Sequence, residues 1–561
     1  MPTTKKIVYL LLFLSAALQA QLPYTKYWIA FTDKAATPYT ITQPYAFLSA
    51  KTLERRAAYN IPVLENDLPV DPAYVQLVKD AGATVLYTSR WMNGAVITVP
   101  DSATLLAVQA LPFVVNSRGV SKSKPGAAPG TRPKFDASVP AAKTQSSNVY
   151  GSDEYYGDAY HQISMLHGDY LHTQGYKGQG MVIAIMDAGF ANVNNMTVFQ
   201  SHFENGRILG TRDFVAGGSD VFVSSTHGTH VFAISGGNLP GTYVGAAPEA
   251  SFWLFRTEDA PTETIIEEYN WLAAAEFADS VGVDVINTSL GYSEFDDTTM
   301  NYTYTDMNGN TAIISRAADL AASKGMLVVC SAGNQGNKAW QYITAPADAD
   351  SVMTIGAVDS LGIYAFFSSK GPSSDGQIKP NVAAQGFKTA YVNIFNTVEK
   401  GNGTSYSAPI ITGLAACLWQ ANRGKTNMEI LQAIQQSASQ FATPDSLLGY
   451  GLPNFYTAVL TVSNNPILQM PAELSPMVYP NPFNHETNIF YYATGNEMVN
   501  FELYDLSGKL IASYRFEARQ NLPYSIRLSE WANVAKGTYM LHIKDQKGSK
   551  TLKVIKATNN P

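Results

Sequence analysis

The sequence predicts an α/β fold for the middle of the chain, a parallel sheet flanked by helices, set between an N-terminal α+β unit and a C-terminal β-sandwich. Three observations lead there. Largely apolar runs suited to strands buried on both faces, at Met181 to Met186, Val283 to Asn287 and Met326 to Cys330, alternate with stretches of helical spacing. Strand, helix and strand repeated in this way build a parallel sheet with helices on both sides. From about Leu468 the pattern changes to short strands separated by turn residues.

At 561 residues the chain exceeds one compact domain, and length alone suggests about three. Hydrophobic residues make up 46% and charged residues 15%, so cores can form and no disordered majority is expected. A net charge of −7 offers no basic patch and argues against a nucleic-acid partner. Cys330 and Cys417 are the only cysteines, which read as small buried residues rather than staples.

Taken in order, the chain opens with Lys5 and Lys6, an apolar run from Ile7 to Leu18, and the small residue Ala20 before Gln21. This is the pattern of a secretory signal peptide over residues 1–20, too short to span a bilayer, so export is expected. No later run is long enough for a membrane helix. Residues 21–120 alternate strands at Tyr27 to Phe31, Ala83 to Ser89, Gly94 to Pro100 and Phe113 to Val115 with helices at Tyr74 to Asp80 and Ala103 to Gln109. That is a small α+β unit of split βαβ character. Residues 121–149, rich in Pro, Ala, Lys and Ser, read as an exposed linker open to cleavage.

Residues 150–465 carry the α/β pattern; within them Thr311 to Lys324 has helical spacing, with Ile313, Ala317 and Leu320 on one face and Gly325 ending it. Residues 468–561 hold six short strands, from Asn488 to Ile555, and no clustered His, Cys or acidic set, so no chemistry is expected there.

Chemistry concentrates in the middle. Gly401 to Pro409, GNGTSYSAP, reads as a helix start whose first turn carries Ser405 among small residues. Unpaired backbone N–H groups at such an end favour negative charge on a substrate oxygen. Asp187 closes the strand MVIAIMD, His227 opens the run HGTHVFAISGG, and Asn334 follows a strand in SAGNQG. A serine hydroxyl needs a base in reach, which His227 supplies. Asp187 would hold the imidazole in the useful tautomer, and Asn334 would donate to the tetrahedral oxyanion beside the Ser405 N–H.

The order Asp, His, Ser, with DAG at Asp187, HGTHV at His227, SLG at Ser289, AGN at Asn334 and GTSYSAP at Ser405, resembles the subtilisin-like serine proteases, the subtilases. GAAP at Gly245 and FSSKGPSSDGQIKP from Phe367 extend the likeness over about 300 residues. It implies a secreted serine endopeptidase. It also implies a first specificity pocket walled by Ser289, Leu290 and Gly291 on one side and Ala332 and Gly333 on the other, with no charge on either wall. Ala188 replaces the Ser or Thr usual after the aspartate. Phe232 and Ala233 replace smaller residues in the histidine helix, and Asn381 and Gln385 stand in place of an acidic residue and a proline.

His230, three residues beyond His227, reads as a structural histidine. No cofactor is required. Calcium is bound by many subtilases, but Asp296 and Asp297 fall short of the six to eight oxygens it takes, so no metal site is assigned. Residues 21–120 resemble a subtilase propeptide. The final domain resembles the sorting domain of the type IX secretion system, through VYPNPF at Val478, ELYDLSGKLI from Glu502, GTYMLHI from Gly537 and the closing TLKVIK. The partners implied are protein or peptide substrates and the type IX machinery, at the cell surface or outside. A non-catalytic surface adhesin on the same scaffold is the competing expectation, and four intact catalytic residues weigh against it.

Overall fold

The computed structural model describes residues 22–122, 139–140, 153–462, 475–484, 487–520, 522–527 and 534–557. The N-terminal apolar run and most of the 121–149 linker lie outside them. The described residues fall into two compact units: those up to Pro38 with those from Pro69 to Pro125, and Tyr39–Leu68 with the rest of the chain.

In the first unit, four antiparallel strands lie in the order Thr84–Ser89, Gly94–Thr98, Lys26–Phe31, Val114–Ser121. Helices Pro72–Asp80 and Ser102–Gln109 start on the caps Asp71 and Asp101, whose carboxylates accept from Ala73 N and Thr104 N. Tyr27, Ile29, Phe31, Val78, Ile97 and Phe113 form the core. This is the predicted split βαβ arrangement, with the first strand in the middle.

The expected α+β region of 21–120 is thus divided, because Tyr39–Leu68 packs with the second unit. Its helix α1, Ala50–Ala58, was not predicted. The reason is plain: the residues it buries are Thr52, Arg55 and Arg56, so it has no apolar periodicity to read.

The second unit is built on seven parallel strands: β1 (Val182–Asp187), β2 (Ile208–Asp213), β3 (Ser251–Arg256), β4 (Val285–Thr288), β5 (Leu327–Ser331), β6 (Met353–Val358) and β7 (Val382–Gln385). Their order is β7-β6-β5-β4-β1-β3-β2. β1, β4 and β5 are buried along their whole length, which is why they read as apolar runs, and β6 is buried likewise. Helices α2 (His227–Gly236), α3 (Ile266–Val281), α4 (Ile313–Ser323) and α5 (Thr404–Ala421) cover the sheet, α5 lying against β4 to β7. In α4 the buried face is Ile314, Ala317, Ala318 and Ala321, one residue round from the predicted Ile313, Ala317 and Leu320. Strand order turns back beside β1, so its C-terminal end borders the crevice where open α/β sheets place their sites.

Cys330 and Cys417 are buried and free. Phe232 explains one departure from the family pattern: it stacks on Phe199 at 4.2 Å and meets Phe252 edge-on at 4.7 Å, filling the space behind α2. Asn381 and Gln385 also have local partners, Asn381 Oδ1 accepting from Thr354 N at 2.7 Å and Gln385 Nε2 donating to Lys388 O at 3.2 Å.

The C-terminal residues form two antiparallel sheets, Met477–Tyr479, Asn488–Tyr492, Pro523–Arg527 and Leu510–Ala518, Glu497–Asp505, Gly537–Asp545, Gly548–Lys556. Phe501 and Phe516 stack at 5.7 Å in their core. Met477–Tyr479 is a seventh strand beside the six read from sequence. This domain contacts the helix Gly168–Thr173 of the same unit: Arg519 pairs with Asp169 at 2.7 Å, Tyr514 donates to Thr173 O at 2.8 Å, and Tyr170 donates to Pro523 O at 3.0 Å. Among the described residues no helix is long and apolar enough to cross a membrane.

Candidate active site

Each predicted catalytic residue stands where a regular element begins or ends. Asp187 is the last residue of β1 and His227 the first of α2. His227 Nδ1 lies 2.9 Å from both carboxylate oxygens of Asp187, and Asp187 Oδ1 also accepts the Ala188 N–H at 2.7 Å. A carboxylate only accepts, so Nδ1 carries the proton and the Nε2 lone pair is the basic one. Asp187 and His227 are both buried. The approach is tight enough to exclude a side chain at Gly228, where an added Cβ would meet Gly189 O at 2.4 Å and Asp187 Cβ at 3.0 Å.

Ser405 is the second residue of α5, after Gly403 at φ 153°. Tyr406, the next residue, brings its ring centroid to 6.0 Å from that of His227. Pro409, predicted near the helix start, sits in the second turn. Lacking an N–H, it leaves the Ser405 carbonyl without its helical donor. The Ser289 hydroxyl donates there instead at 3.0 Å, and Ser289 accepts from Asn287 Nδ2 at 2.9 Å. The proline therefore couples the Ser405 backbone to Ser289, just past the end of β4.

Asn334 follows β5. Its Oδ1 accepts from both Thr404 N, at 2.9 Å, and Thr404 Oγ1, at 3.0 Å. With the carbonyl side of the amide held by α5, Nδ2 is turned toward Ser405. A Cβ placed on Gly403 would lie 2.9 Å from Ser405 Oγ and 3.5 Å from Asn334 Nδ2. The two groups therefore flank one space, which only glycine at 403 leaves open.

Residues expected on the two walls of the first pocket lie close together. Ser331 donates to Leu290 O at 3.3 Å, and the backbones of Gly291 and Gly333 face one another across Thr344. An added Cβ would lie 2.2 Å from Thr344 Oγ1 at Gly291 and 2.8 Å at Gly333. Thr344 is 2% exposed, and its hydroxyl has no hydrogen-bond partner. The sequence did not point to Thr344, which lies in AWQYITAP with no motif around it.

His230 packs on Tyr391 with ring centroids 4.1 Å apart, and its Nδ1 lies 3.4 Å from the Tyr406 hydroxyl. Burial, with the His227 charge adding to it, lowers its pKa to about 3, so it stays neutral and structural. Asp297 caps a short turn, accepting from Thr299 Oγ1 at 2.8 Å, and Asp296 Oδ2 accepts from Glu263 N at 3.4 Å. Glu258, Glu263 and Glu267, which the sequence did not single out, each bring an oxygen to within 4.8 Å of the others, with Tyr292 donating to Glu258 at 2.9 Å. Three such oxygens remain well short of a calcium shell.

The chain matches the model of the Subtilase family over residues 178–451, of the Peptidase S8 propeptide domain of Bacteroidota over 26–132, and of the Secretion system C-terminal sorting domain over 477–557. It is 32% identical to Subtilisin DY of Bacillus licheniformis over 259 residues, 46% of this chain and 82% of that one. Subtilisin E of Bacillus subtilis (strain 168) is 28% identical over 337 residues, 58% of this chain and 78% of the other. The Thermophilic serine proteinase of Bacillus sp. (strain AK1) is 29% identical over 311 residues, 55% and 69%.

Proposed function

This chain belongs to the subtilase family of serine endopeptidases, and from that premise we propose that it cleaves peptide bonds through Asp187, His227 and Ser405, with Asn334 in the oxyanion hole. Ser405 Oγ attacks the scissile carbonyl as His227 Nε2 takes its proton. Asp187 stays ionised and stabilises the imidazolium. The new oxyanion is met by Asn334 Nδ2–H and by the Ser405 N–H, one of the donors that a first helical turn leaves unpaired. Collapse breaks the C–N bond, the proton passes from Nε2 to the leaving amine, and water repeats the sequence on the acyl-enzyme. The observation that carries this reading is the opposed fixing of two side chains: His227 by both oxygens of Asp187, and Asn334 by both donors of Thr404.

Substrate side chains at the first subsite would meet Ser289, Leu290, Gly291, Ala332 and Gly333 as walls, with Thr344 between them. This uncharged surround favours uncharged residues, and the Thr344 hydroxyl would shorten the pocket and offer one polar contact. The C-terminal sorting domain marks the chain for type IX secretion, to the cell surface or outside.

Labelling of the matured protein with a fluorophosphonate, with a Ser405→Ala control, followed by casein digestion, tests the assignment. Labelling and digestion should both be lost in the control. A folded, propeptide-free protein that is not labelled would overturn it and favour a binding role.

A further inference from the structure

Asp187 fixes one nitrogen of His227, which leaves open what holds the rest of the imidazole and what meets the charge it gains. Three further rings bear on this. Tyr406, next to Ser405 in α5, lies nearly parallel to His227, with ring centroids 6.0 Å apart and planes at 26°. Tyr391, in the strand Thr389–Val392, lies in turn 5.3 Å from Tyr406, again at 26°. His230, one turn along α2 from His227, packs against Tyr391 at 4.1 Å. His227, Tyr406 and Tyr391 are all buried.

Both tyrosine hydroxyls have anchors. The Tyr406 hydroxyl lies 3.4 Å from His230 Nδ1. Tyr391 donates to Glu399 Oε2 at 3.0 Å, and the other oxygen of Glu399 accepts from Asn393 Nδ2 at 2.7 Å. Burial, with the neighbouring His227 charge, lowers His230 to about 3, so the ring is neutral and one of its nitrogens is an acceptor. With Nδ1 as that acceptor, the Tyr406 hydroxyl donates to it, and turning the Tyr406 ring away from His227 breaks this bond. A neutral His230 also keeps a second positive charge away from His227.

The face of an aromatic ring attracts a cation within about 6 Å of its centroid, most strongly where water is excluded. His227 is neutral when substrate binds. It becomes a cation as Nε2 takes the proton of Ser405 Oγ, and becomes neutral again as that proton passes to the leaving amine. A ring beside it therefore favours a charge that exists only during the reaction, which is the kind of interaction that raises kcat.

We propose, on the assignment of His227 as the general base, that Tyr406 is a positioning residue for it: the buried ring, anchored through His230 and Tyr391, holds the imidazole in place and stabilises the imidazolium of each proton transfer. The ionisable groups around His227 are Asp187 at the end of β1, His230 on its own helix, Tyr406 on α5 and, beyond Tyr406, Tyr391. His230 stays neutral across the working pH range, so the acid limb of activity reports proton uptake by His227.

The test measures kcat and KM on a peptide anilide between about pH 5 and 9, with active sites counted by fluorophosphonate burst so that misfolded protein is not read as slow chemistry. Tyr406→Leu removes the ring. Its kcat should fall about 3- to 30-fold with KM little changed, and the acid limb should move to lower pH, because the imidazolium has lost a stabilising contact. Tyr406→Phe keeps the ring without the hydroxyl and should stay within about threefold of wild type. Should the leucine variant not fold, phenylalanine analogues with one, two and three ring fluorines at position 406 keep the shape and weaken the negative face stepwise, and kcat should fall in step with fluorine number. A leucine variant with wild-type kcat and acid limb overturns the proposal, as does a phenylalanine variant as slow as the leucine one, or a flat fluorine series. Wild-type protein that fluorophosphonate does not label would instead overturn the assignment of the base, so the two failures are told apart.

Discussion

Replacing Asn334 by alanine tests the proposed oxyanion hole. In this structure the amide is locked before substrate arrives, since Thr404 N and Oγ1 hold Oδ1 at 2.9 and 3.0 Å. No reorganisation is then required as charge develops, which is the condition under which such a donor contributes most. The expected loss is about 100- to 1,000-fold in kcat, about 3 to 4 kcal/mol, with KM little changed; that range is the one known for the corresponding donor of subtilisin and is carried over from it. Thr404→Val separates the donor from its lock. It keeps the backbone bond and removes the hydroxyl, which also accepts from Gly333 N at 3.1 Å. A loss of about 3- to 10-fold is expected, on the order of 1 kcal/mol for one hydrogen bond. The assay is hydrolysis of a peptide anilide, with active sites counted by fluorophosphonate burst. An Asn334→Ala enzyme within about twofold of wild-type kcat, or one altered only in KM, would refute the assignment.

Gly403→Ala should abolish turnover while the protein still folds, because the methyl enters the space between Ser405 Oγ and Asn334 Nδ2; a variant with wild-type kcat would place the oxyanion elsewhere. Thr344→Gly should shift the first-subsite preference toward larger side chains, read as kcat/KM ratios over a panel of anilides, and an unchanged ranking would remove Thr344 from the pocket. Arg519→Ala leaves Asp169 buried without its 2.7 Å partner, so limited proteolysis should release the C-terminal domain faster, and an unchanged rate would show that the contact contributes nothing to docking. Acid should destabilise the second unit through buried histidines. Burial lowers His172 to about 3 and His202 to about 4, and these folded values lie below the unfolded one. The stability they confer is present above about pH 6.5 and lost as pH falls toward 3, on the order of 5 kcal/mol at most for His172. Urea midpoints of the Ser405→Ala protein should fall between pH 6.5 and 4, and a flat profile would contradict the burial argument.

The sheet and the placement of Asp187, His227 and Ser405 at the ends of regular elements were legible because both leave local marks. β1, β4 and β5 are buried on two faces, so their apolar runs matched observed strands to within about two residues. Asp187, His227 and Ser405 stand in motifs whose small neighbours are required by close backbone approach, as at Gly228 and Gly403. Helix α1 was illegible for the opposite reason: it buries arginines, and its partners Asp279 and Lys324 lie more than two hundred residues away in the chain.

The sequence by itself determined the three kinds of structure, the proposed catalytic residues and their chain order, since periodicity and short motifs are properties of neighbouring residues. Only the tertiary structure decided which groups meet. The Pro409 gap filled by Ser289, the Thr404 lock on Asn334, Thr344 against Gly291 and Gly333, and the grouping of Tyr39–Leu68 with the catalytic unit all join residues distant in sequence. Their energies depend on burial and on hydrogen-bond geometry at a few ångströms, which no local pattern encodes.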